Sequence, residues 1–215
     1  MNLTLLGLPG AGKGTQAKKI SRDYNITHIA TGDIFRILIE KGTPLGKRAE
    51  KYIQQGKLVP DDDAIQIVKE EFSRIDMNTG FVLDGFPRTL YQAEILTEIL
   101  DDMGYRLDMV FFIKVNPEEL VERVAGRRVC LNCGATFHIE YNPPKKEGIC
   151  DLCGDELIQR SDDQKDTVRK RIEIHSNKVD ELVSYYKDLG ILRIITGQSI
   201  EEIYSNIKMA IEVEL

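Results

Sequence analysis

The chain has no long apolar run, no excess of positive charge, no repeat or low-complexity tract, and no cysteine outside one short stretch. Each absence narrows what it can do. Without a run approaching about 18 apolar residues it is not expected to span a membrane, and the start MNLTLLGLPG lacks the basic region and cleavage site of a secretory leader. The expected setting is the cytoplasm. A formal charge of −6 gives no support to nonspecific attraction to nucleic acid or to an anionic membrane, so any anion site must be local. With 215 residues, 42% hydrophobic and 30% charged, the chain suits one compact domain with small insertions. The four cysteines, Cys130, Cys133, Cys150 and Cys153, cluster in a way that favours metal over disulfides in a reducing compartment.

Five short apolar runs, Leu3 to Leu6, His28 to Ile29, Phe81 to Leu83, Met109 to Val115 and Leu192 to Ile195, alternate with helical patterns. That alternation predicts a parallel sheet covered on both faces. Ile65, Val68, Phe72 and Ile75 form one helical stripe, and the acids of PDDD at 60–63 complement that helix's N-terminal dipole. Val168, Ile172, His175, Val179, Leu182, Tyr186 and Leu189 mark a long amphipathic helix closed by Gly190, with His175 read as a core histidine. Two stretches break the alternation and read as insertions: about 30–60, which is helical, and about 126–163, which holds every cysteine and β-like pieces such as TFHIEY.

Gly7, Gly12 and Lys13 match G-x-x-x-x-G-K directly between a strand and a helix, the context in which backbone amides and a helix N-terminus cradle phosphate. Gly14 stands where that pattern has Ser or Thr, with Thr15 one place later, so Mg²⁺ is expected to be held mainly through water. Asp84, at the end of FVLD, is the acid expected to orient those waters, its other reading being a turn residue. Asn177-Lys178-Val179-Asp180 imitates a guanine-reading N-K-x-D, but it falls inside the long amphipathic helix and is discounted. Arg36, Arg88, Arg123, Arg127, Arg160 and Arg171 exceed what one nucleotide's phosphates need, which points to a second phosphorylated substrate. Each taken singly reads equally well as a surface salt bridge.

Together, GLPGAGKGTQ, ATGDIFR, GKLVPD, LDGFPRTLYQAE, GRRVC, QRSDD and VRKRIE resemble, in order and almost end to end, the adenylate kinases of the bacterial long-lid type with a four-cysteine zinc site. The resemblance implies an α/β, P-loop nucleoside monophosphate kinase fold: a five-stranded parallel sheet flanked by helices, a helical NMP-binding insertion and a small β lid. It implies a core of 1–29, 60–125 and 164–215, an NMP-binding domain at 30–59 and a lid at 126–163. The implied reaction is ATP plus AMP giving two ADP, by a monomer with no nucleic-acid partner. Carried onto this sequence, Gly10, Ala11, Gly12, Lys13, Gly14 and Thr15 would hold the ATP phosphates, Arg127 and Arg160 would close from the lid, and Arg123, Thr136, Phe137 and the backbone near Ser199 would flank the ATP base. Thr31, Arg36, Lys57, Leu58, Val59, Gly85, Phe86, Pro87, Arg88 and Gln92 would hold AMP, with Arg171 bridging towards the transferred group and Arg160 reaching it. Lys13, Asp84, Arg88, Arg127, Arg160 and Arg171 would carry the chemistry.

Gln92 is chemically apt because its amide offers a donor and an acceptor to adenine's amino group and ring nitrogen, an order that oxo-bases reverse. No general base is expected, since the acceptor is a phosphate with a second pKa of about 6, largely deprotonated at neutral pH. Asp162 and Asp163 read equally well as tethers for lid arginines or as a solvated hinge. CLNC and CDLC, separated by the sixteen residues 134–149, form a zinc pattern, and the 38 residues of 126–163 fall below the roughly 40 that fold alone without such help. Structural Zn²⁺ is expected there, against a redox pair or a zinc ribbon, with His138 an ordinary neighbour. The competing functions are a pyrimidine nucleoside monophosphate kinase, against which Gln92, Thr31 and the long lid weigh, and a zinc-containing ATP-binding regulator without turnover.

Overall fold

The computed structural model describes residues 1–214. The described chain runs β1 (Asn2–Leu6), α1 (Lys13–Tyr24), β2 (Thr27–Ala30), α2 (Thr31–Glu40), α3 (Pro44–Ile53), α4 (Asp61–Phe72), β3 (Phe81–Asp84), α5 (Leu90–Asp102), β4 (Met109–Ile113), α6 (Pro117–Ala125), β5 (Arg127–Cys130), β6 (Thr136–His138), β7 (Leu157–Ile158), α7 (Lys165–Asp188), β8 (Leu192–Ile195) and α8 (Ile200–Glu214). Five strands form a sheet in the order β2-β3-β1-β4-β8, all pairs parallel. β1 lies at the centre, and its neighbours lead to opposite halves of the sheet, so the crevice beyond its carboxyl end is where an open α/β sheet receives a ligand.

The central strands are largely apolar because both sheet faces are covered, with Asn2 and Thr4 of β1 as buried polar exceptions. On one face Ala17 and Ile20 of α1 and Ile203, Ile207 and Ile211 of α8 pack against Leu3, Leu5 and Phe111. On the other, Ile65, Val68 and Phe72 of α4, Leu96 and Leu100 of α5, and Leu182 and Tyr186 of α7 pack against Phe81, Leu83 and Val110. Each such fully buried side chain contributes about 1.5–3 kcal/mol relative to exposure. Phe35 of α2 and Ala49 of α3 join the second cluster, so the helical insertion shares the main core. Residues 126–163 carry a separate antiparallel sheet, β6-β5-β7, over a core of only Cys130, Ala135, Phe137, Cys150 and Leu157.

Local signals account for most boundaries. Asp61, Asp62 and Asp63 occupy the first turn of α4, and α7 ends through Gly190 in the left-handed region (φ 76°). Three expected details differ. β4 stops at Ile113 rather than Val115, because Asn116 caps α6 by accepting from Glu118 N. Leu189 lies past the last turn of α7 and is half exposed, and Ile75 lies past α4, packing on the main core from a loop. Periodicity identifies a stripe, whereas the capping residues decide where the helix under it stops.

Candidate active site

The loop from β1 to α1 presses against its neighbours. Gly10 has φ 87°, and a Cβ there would lie 2.6 Å from Val124 Cγ2 of α6, so only glycine permits this path. Gly12, the N-cap of α1, supplies no side-chain cap, leaving the first N–H groups of that helix to an anion. Lys13 Nζ donates to the carbonyls of Gly7 (2.7 Å) and Leu8 (3.0 Å), which holds the ammonium over the loop. Burial pushes its pKa down to about 8; Asp84 opposes the fall, and Arg88, Arg171 and Arg127 add to it.

The departure at Gly14 has a steric cause. A Cβ at that position would meet Asp84 Oδ2 at 2.9 Å, so a serine or threonine there would displace the carboxylate. Burial raises the Asp84 pKa, but His28, Lys13 and Arg88 outweigh it and hold the group below the usual carboxylate range. Asp84 therefore stays an anion at the mouth of the loop, with His28 Nε2 at 3.9 Å from its Oδ2.

Five arginines converge near this loop, four of them paired with acids and Arg88 held by its own turn. Arg127 at the start of β5 donates through Nε (2.8 Å) and Nη2 to Asp163, whose side chain is fully buried. Arg171 of α7 donates to Asp162 Oδ2 (2.8 Å), which Arg36 Nη2 also approaches (3.5 Å). Arg160 Nη2 and Arg36 Nη1 share Asp33 Oδ1 at 2.8 and 3.0 Å. Arg88 Nε donates to its own turn, at Gly85 O (2.7 Å). Asp162 and Asp163 are thus buried tethers rather than a solvated hinge. Burial works against the Asp162 carboxylate, yet Arg36, Arg171, Arg127 and Arg160 hold its pKa down.

Positive charge remains in excess. Lys13 and the five arginines face only Asp33, Asp84, Asp162 and Asp163. Burial, then the neighbouring guanidiniums, pushes Arg88 and Arg160 down to about 10 and lowers Arg171. Arg36 Nε and Arg160 Nε are buried donors without a partner. A cation-rich cleft with open guanidinium N–H groups is built for multiply charged anions.

Two cavities meet at these arginines. One, of about 570 Å³, is lined by Thr31, Arg36, Lys57, Val59 and Gln92 among others, and the second, of about 430 Å³, by Gly7, Pro9 and Lys13. Both are walled by Gly85, Arg88, Arg171 and His175. The arginine pair lies where the contents of the two would meet.

The sequence model of the family "Adenylate kinase" matches residues 5–191. Curated adenylate kinases of Exiguobacterium sibiricum, one strain of Clostridium botulinum and Carboxydothermus hydrogenoformans are 52%, 53% and 51% identical to the chain. The alignments cover 97%, 96% and 99% of this chain and 97%, 96% and 100% of those relatives. The chain belongs to the adenylate kinase family. Its sheet and flanking helices are accordingly the P-loop nucleoside monophosphate kinase fold, and it is a phosphotransferase.

Other residues singled out from the adenylate kinase resemblance lie outside the arginine cluster. Arg123 of α6 pairs with Glu119 (2.9 Å) and lies 6.0 Å from the Tyr141 ring centroid. Thr136 is exposed, Phe137 packs into the small core under β5, and Ser199 Oγ accepts from Glu202 N at the start of α8. Phe86 is buried, and its carbonyl accepts from Thr4 Oγ1 (2.7 Å), which anchors the turn before Pro87 and Arg88. Thr31 Oγ1 ties the base of α2 to Gly85 O (3.0 Å), and Leu58 joins the wall of the larger cavity.

The four cysteines do come together. Their sulfurs all lie within 4.8 Å of one another, with Cys130–Cys153 at 3.3 Å and Cys133–Cys150 at 3.5 Å. Those separations exceed an S–S bond and suit four thiolates about 2.3 Å from one tetrahedral ion, whose edges would be about 3.8 Å. His138 faces elsewhere, its Nδ1 accepting from Glu140 N and Tyr141 N (both 3.0 Å).

Two roles escaped the sequence. Asp33 pairs with Arg36 three positions on in its own helix, which local spacing could mark, and with Arg160 of a distant segment, which it could not. Gln92 carries a local signal as well: Thr89-x-x-Gln92 has capping-box spacing, with Thr89 Oγ1 accepting from Gln92 N (3.2 Å), although Gln92 Oε1 accepts from Arg88 N (2.8 Å), one residue before the cap.

Proposed function

We infer that the chain catalyses the reversible, Mg²⁺-dependent transfer of the terminal phosphoryl group of ATP to AMP, giving two ADP. The observation that carries this reading is the meeting of two cavities at Arg88 and Arg171, inside a cleft with more positive than negative charge. The cavity of the β1–α1 loop takes the ATP phosphates on the amides of Gly10, Ala11, Gly12, Gly14 and Thr15 with Lys13. The larger one takes AMP, with Gln92 at the base, Thr31 and the segment Lys57 to Val59 around the nucleoside, and Arg36 and Arg88 at the phosphate. Arg127, Arg160 and Arg171 neutralise the group in transit. Arg123, Thr136, Phe137 and the backbone near Ser199 flank the ATP base.

In this reading 30–59 is the NMP-binding domain, 126–163 the lid, and 1–29, 60–125 and 164–215 the core. The chemistry asks for no general base, because the attacking phosphate oxygen is already largely deprotonated at neutral pH. Alignment of the two phosphates and charge neutralisation do the rest, in a space from which water is excluded. Asp84, kept anionic beside Gly14, is suited to hold Mg²⁺ through water, and that ion when bound offsets charge on the ATP phosphates. The four thiolates suit a structural Zn²⁺ with no open position, apart from the chemistry. Free, clustered cysteines support a reducing, cytoplasmic setting, and the protein is proposed to act as a monomer.

The test is ADP formation from ATP and Mg²⁺ with AMP, GMP, CMP or UMP, beside a control without acceptor. Strong turnover with AMP and negligible hydrolysis without it are expected. Preferred turnover of CMP or UMP would move the chain to pyrimidine nucleotides, and no transfer to any acceptor would leave a nucleotide-binding protein.

A further inference from the structure

Gln92 is almost wholly buried and lines the larger cavity, and both ends of its amide are already engaged by the protein. The backbone N–H of Arg88 can only donate, so the atom facing it at 2.8 Å must be Oε1. The Asp61 carboxylate accepts, so the atom facing its Oδ1 at 2.7 Å must be Nε2. Asp61 is itself held, because Thr89 Oγ1 donates to the same oxygen at 3.2 Å. One hydrogen on Nε2 and one lone pair on Oε1 remain, in an order the amide cannot reverse without opposing Nε2 to an N–H and Oε1 to a carboxylate.

We propose that Asp61 is a specificity-determining positioning residue, which locks the Gln92 amide against rotation so that it reads the amino-purine edge and rejects the oxo-purine edge. The inference rests on the assignment of the larger cavity to AMP. An amide free to turn by 180° would serve either edge equally well. Adenine offers an amino donor beside a ring acceptor, which matches the locked order. Hypoxanthine, guanine and uracil offer a carbonyl acceptor beside a ring N–H, which the locked amide leaves unpaired or repelled. Cytosine presents the same order as adenine, so the lock does not reject CMP, and its exclusion falls to base size.

The three acids that open α4 separate this role from a helix-end charge effect. Asp63 pairs with Arg48 (2.7 Å) and Asp62 is exposed; only Asp61 turns inward to Gln92 and Thr89. Asp62→Asn therefore removes one acid from the same helix end without touching the amide.

The experiment measures kcat/KM for AMP, IMP and CMP with saturating MgATP in the parent enzyme and in the variants Asp61→Asn, Asp61→Ala, Asp62→Asn, Gln92→Ala and Asp61→Ala/Gln92→Ala. A ratio of two substrates on one preparation is independent of how much of it is folded, so lowered stability does not obscure the result. The AMP-to-IMP ratio is expected to fall at least tenfold in Asp61→Ala, which removes the acceptor of Gln92 Nε2, while the AMP-to-CMP ratio and the KM for ATP hold; in Asp61→Asn, which keeps one carbonyl acceptor, it should fall less. Asp62→Asn should behave as the parent, and Asp61→Ala should change the ratio no further once Gln92 is alanine. An AMP-to-IMP ratio within threefold of the parent in Asp61→Ala overturns the lock, as does an equal fall in Asp62→Asn. Failure of the parent enzyme to phosphorylate AMP would instead sink the reaction assignment, so the two failures are distinguishable.

Discussion

Replacing Asp163 by Asn keeps the shape of a fully buried side chain but removes its charge and one of the two oxygens that accept from Arg127. Arg171 Nη1, at 3.7 Å from Asp163, loses part of its compensation as well, although Asp162 remains at 2.8 Å. Removing one partner of a buried ion pair costs about 3–5 kcal/mol. The retained amide acceptor and the partial exposure of Arg127 place this case lower, at about 2–3 kcal/mol. For a chain of this length each kcal/mol shifts the melting temperature by about 2–4 °C, so a fall of about 4–12 °C is expected by calorimetry. Bound nucleotide phosphates supply the missing negative charge, so the stabilisation by a saturating ATP analogue with AMP should be larger in the variant than in the parent. The coupled assay for ADP should show kcat reduced at least tenfold, since Arg127 loses the contact that aims it. A melting temperature within 2 °C of the parent together with unchanged kcat would refute the view that Asp163 tethers Arg127.

Removal of metal from the four thiolates is expected to lower the melting temperature while leaving residual activity at low temperature, because no catalytic group is a metal ligand; an unchanged melt after verified removal would contradict a structural site. Gly14→Ser should lower kcat/KM for MgATP about tenfold, the equivalent of about 1.4 kcal/mol, because its Cβ would lie 2.9 Å from Asp84 Oδ2; parent-like kinetics would show that the carboxylate tolerates displacement. Burial first, then Arg88, Arg171 and Lys13, drives the His175 pKa well below 6.5, so the folded protein keeps this imidazole neutral where the unfolded chain is protonated. Its stabilisation is complete above about pH 6.5 and is lost as pH falls below that value, by up to about 1.4 kcal/mol per pH unit. Urea melts of the parent and of His175→Gln from pH 7 to 5 should differ by this slope, and parallel curves would refute it.

The sheet and the phosphate loop were legible because they are written in short stretches. Strands covered on both faces read as largely apolar runs, and a loop that approaches α6 as closely as Gly10 does admits one residue type. The cysteines were legible for the same reason, each pair being closed by its own turn. Their convergence was an inference from spacing that the sulfur separations bear out. What did not show was the pairing of charges across segments. Asp33 and Arg160 are 127 positions apart, and Arg36 and Asp162 are 126 apart; local spacing carries no information about either pair. Helix ends were missed where a cap overrode periodicity, as at Asn116 and beyond Asp188. Gln92 and Asp61 show a third limit: each was given one sufficient local reason, base reading for the first and the helix dipole for the second. Nothing in the sequence indicated that the two side chains meet.

The acids of the cleft also explain how a site so rich in positive charge can fold. Arg36, Arg127, Arg160 and Arg171 are each held by Asp33, Asp162 or Asp163, and these acids lie within the two segments, 30–59 and 126–163, that flank the core. A buried guanidinium without a counter-charge would be strongly unfavourable, so the carboxylates are needed before substrate arrives. In the proposed reaction the substrate phosphates would offer the same N–H groups a second set of acceptors, including the donors that have no protein partner, Arg36 Nε and Arg160 Nε. The carboxylates fix the aim of the arginines and leave these N–H groups over for the anion. Binding energy is then gained on groups already oriented, which is the condition under which electrostatic stabilisation of a phosphoryl in flight needs no further reorganisation.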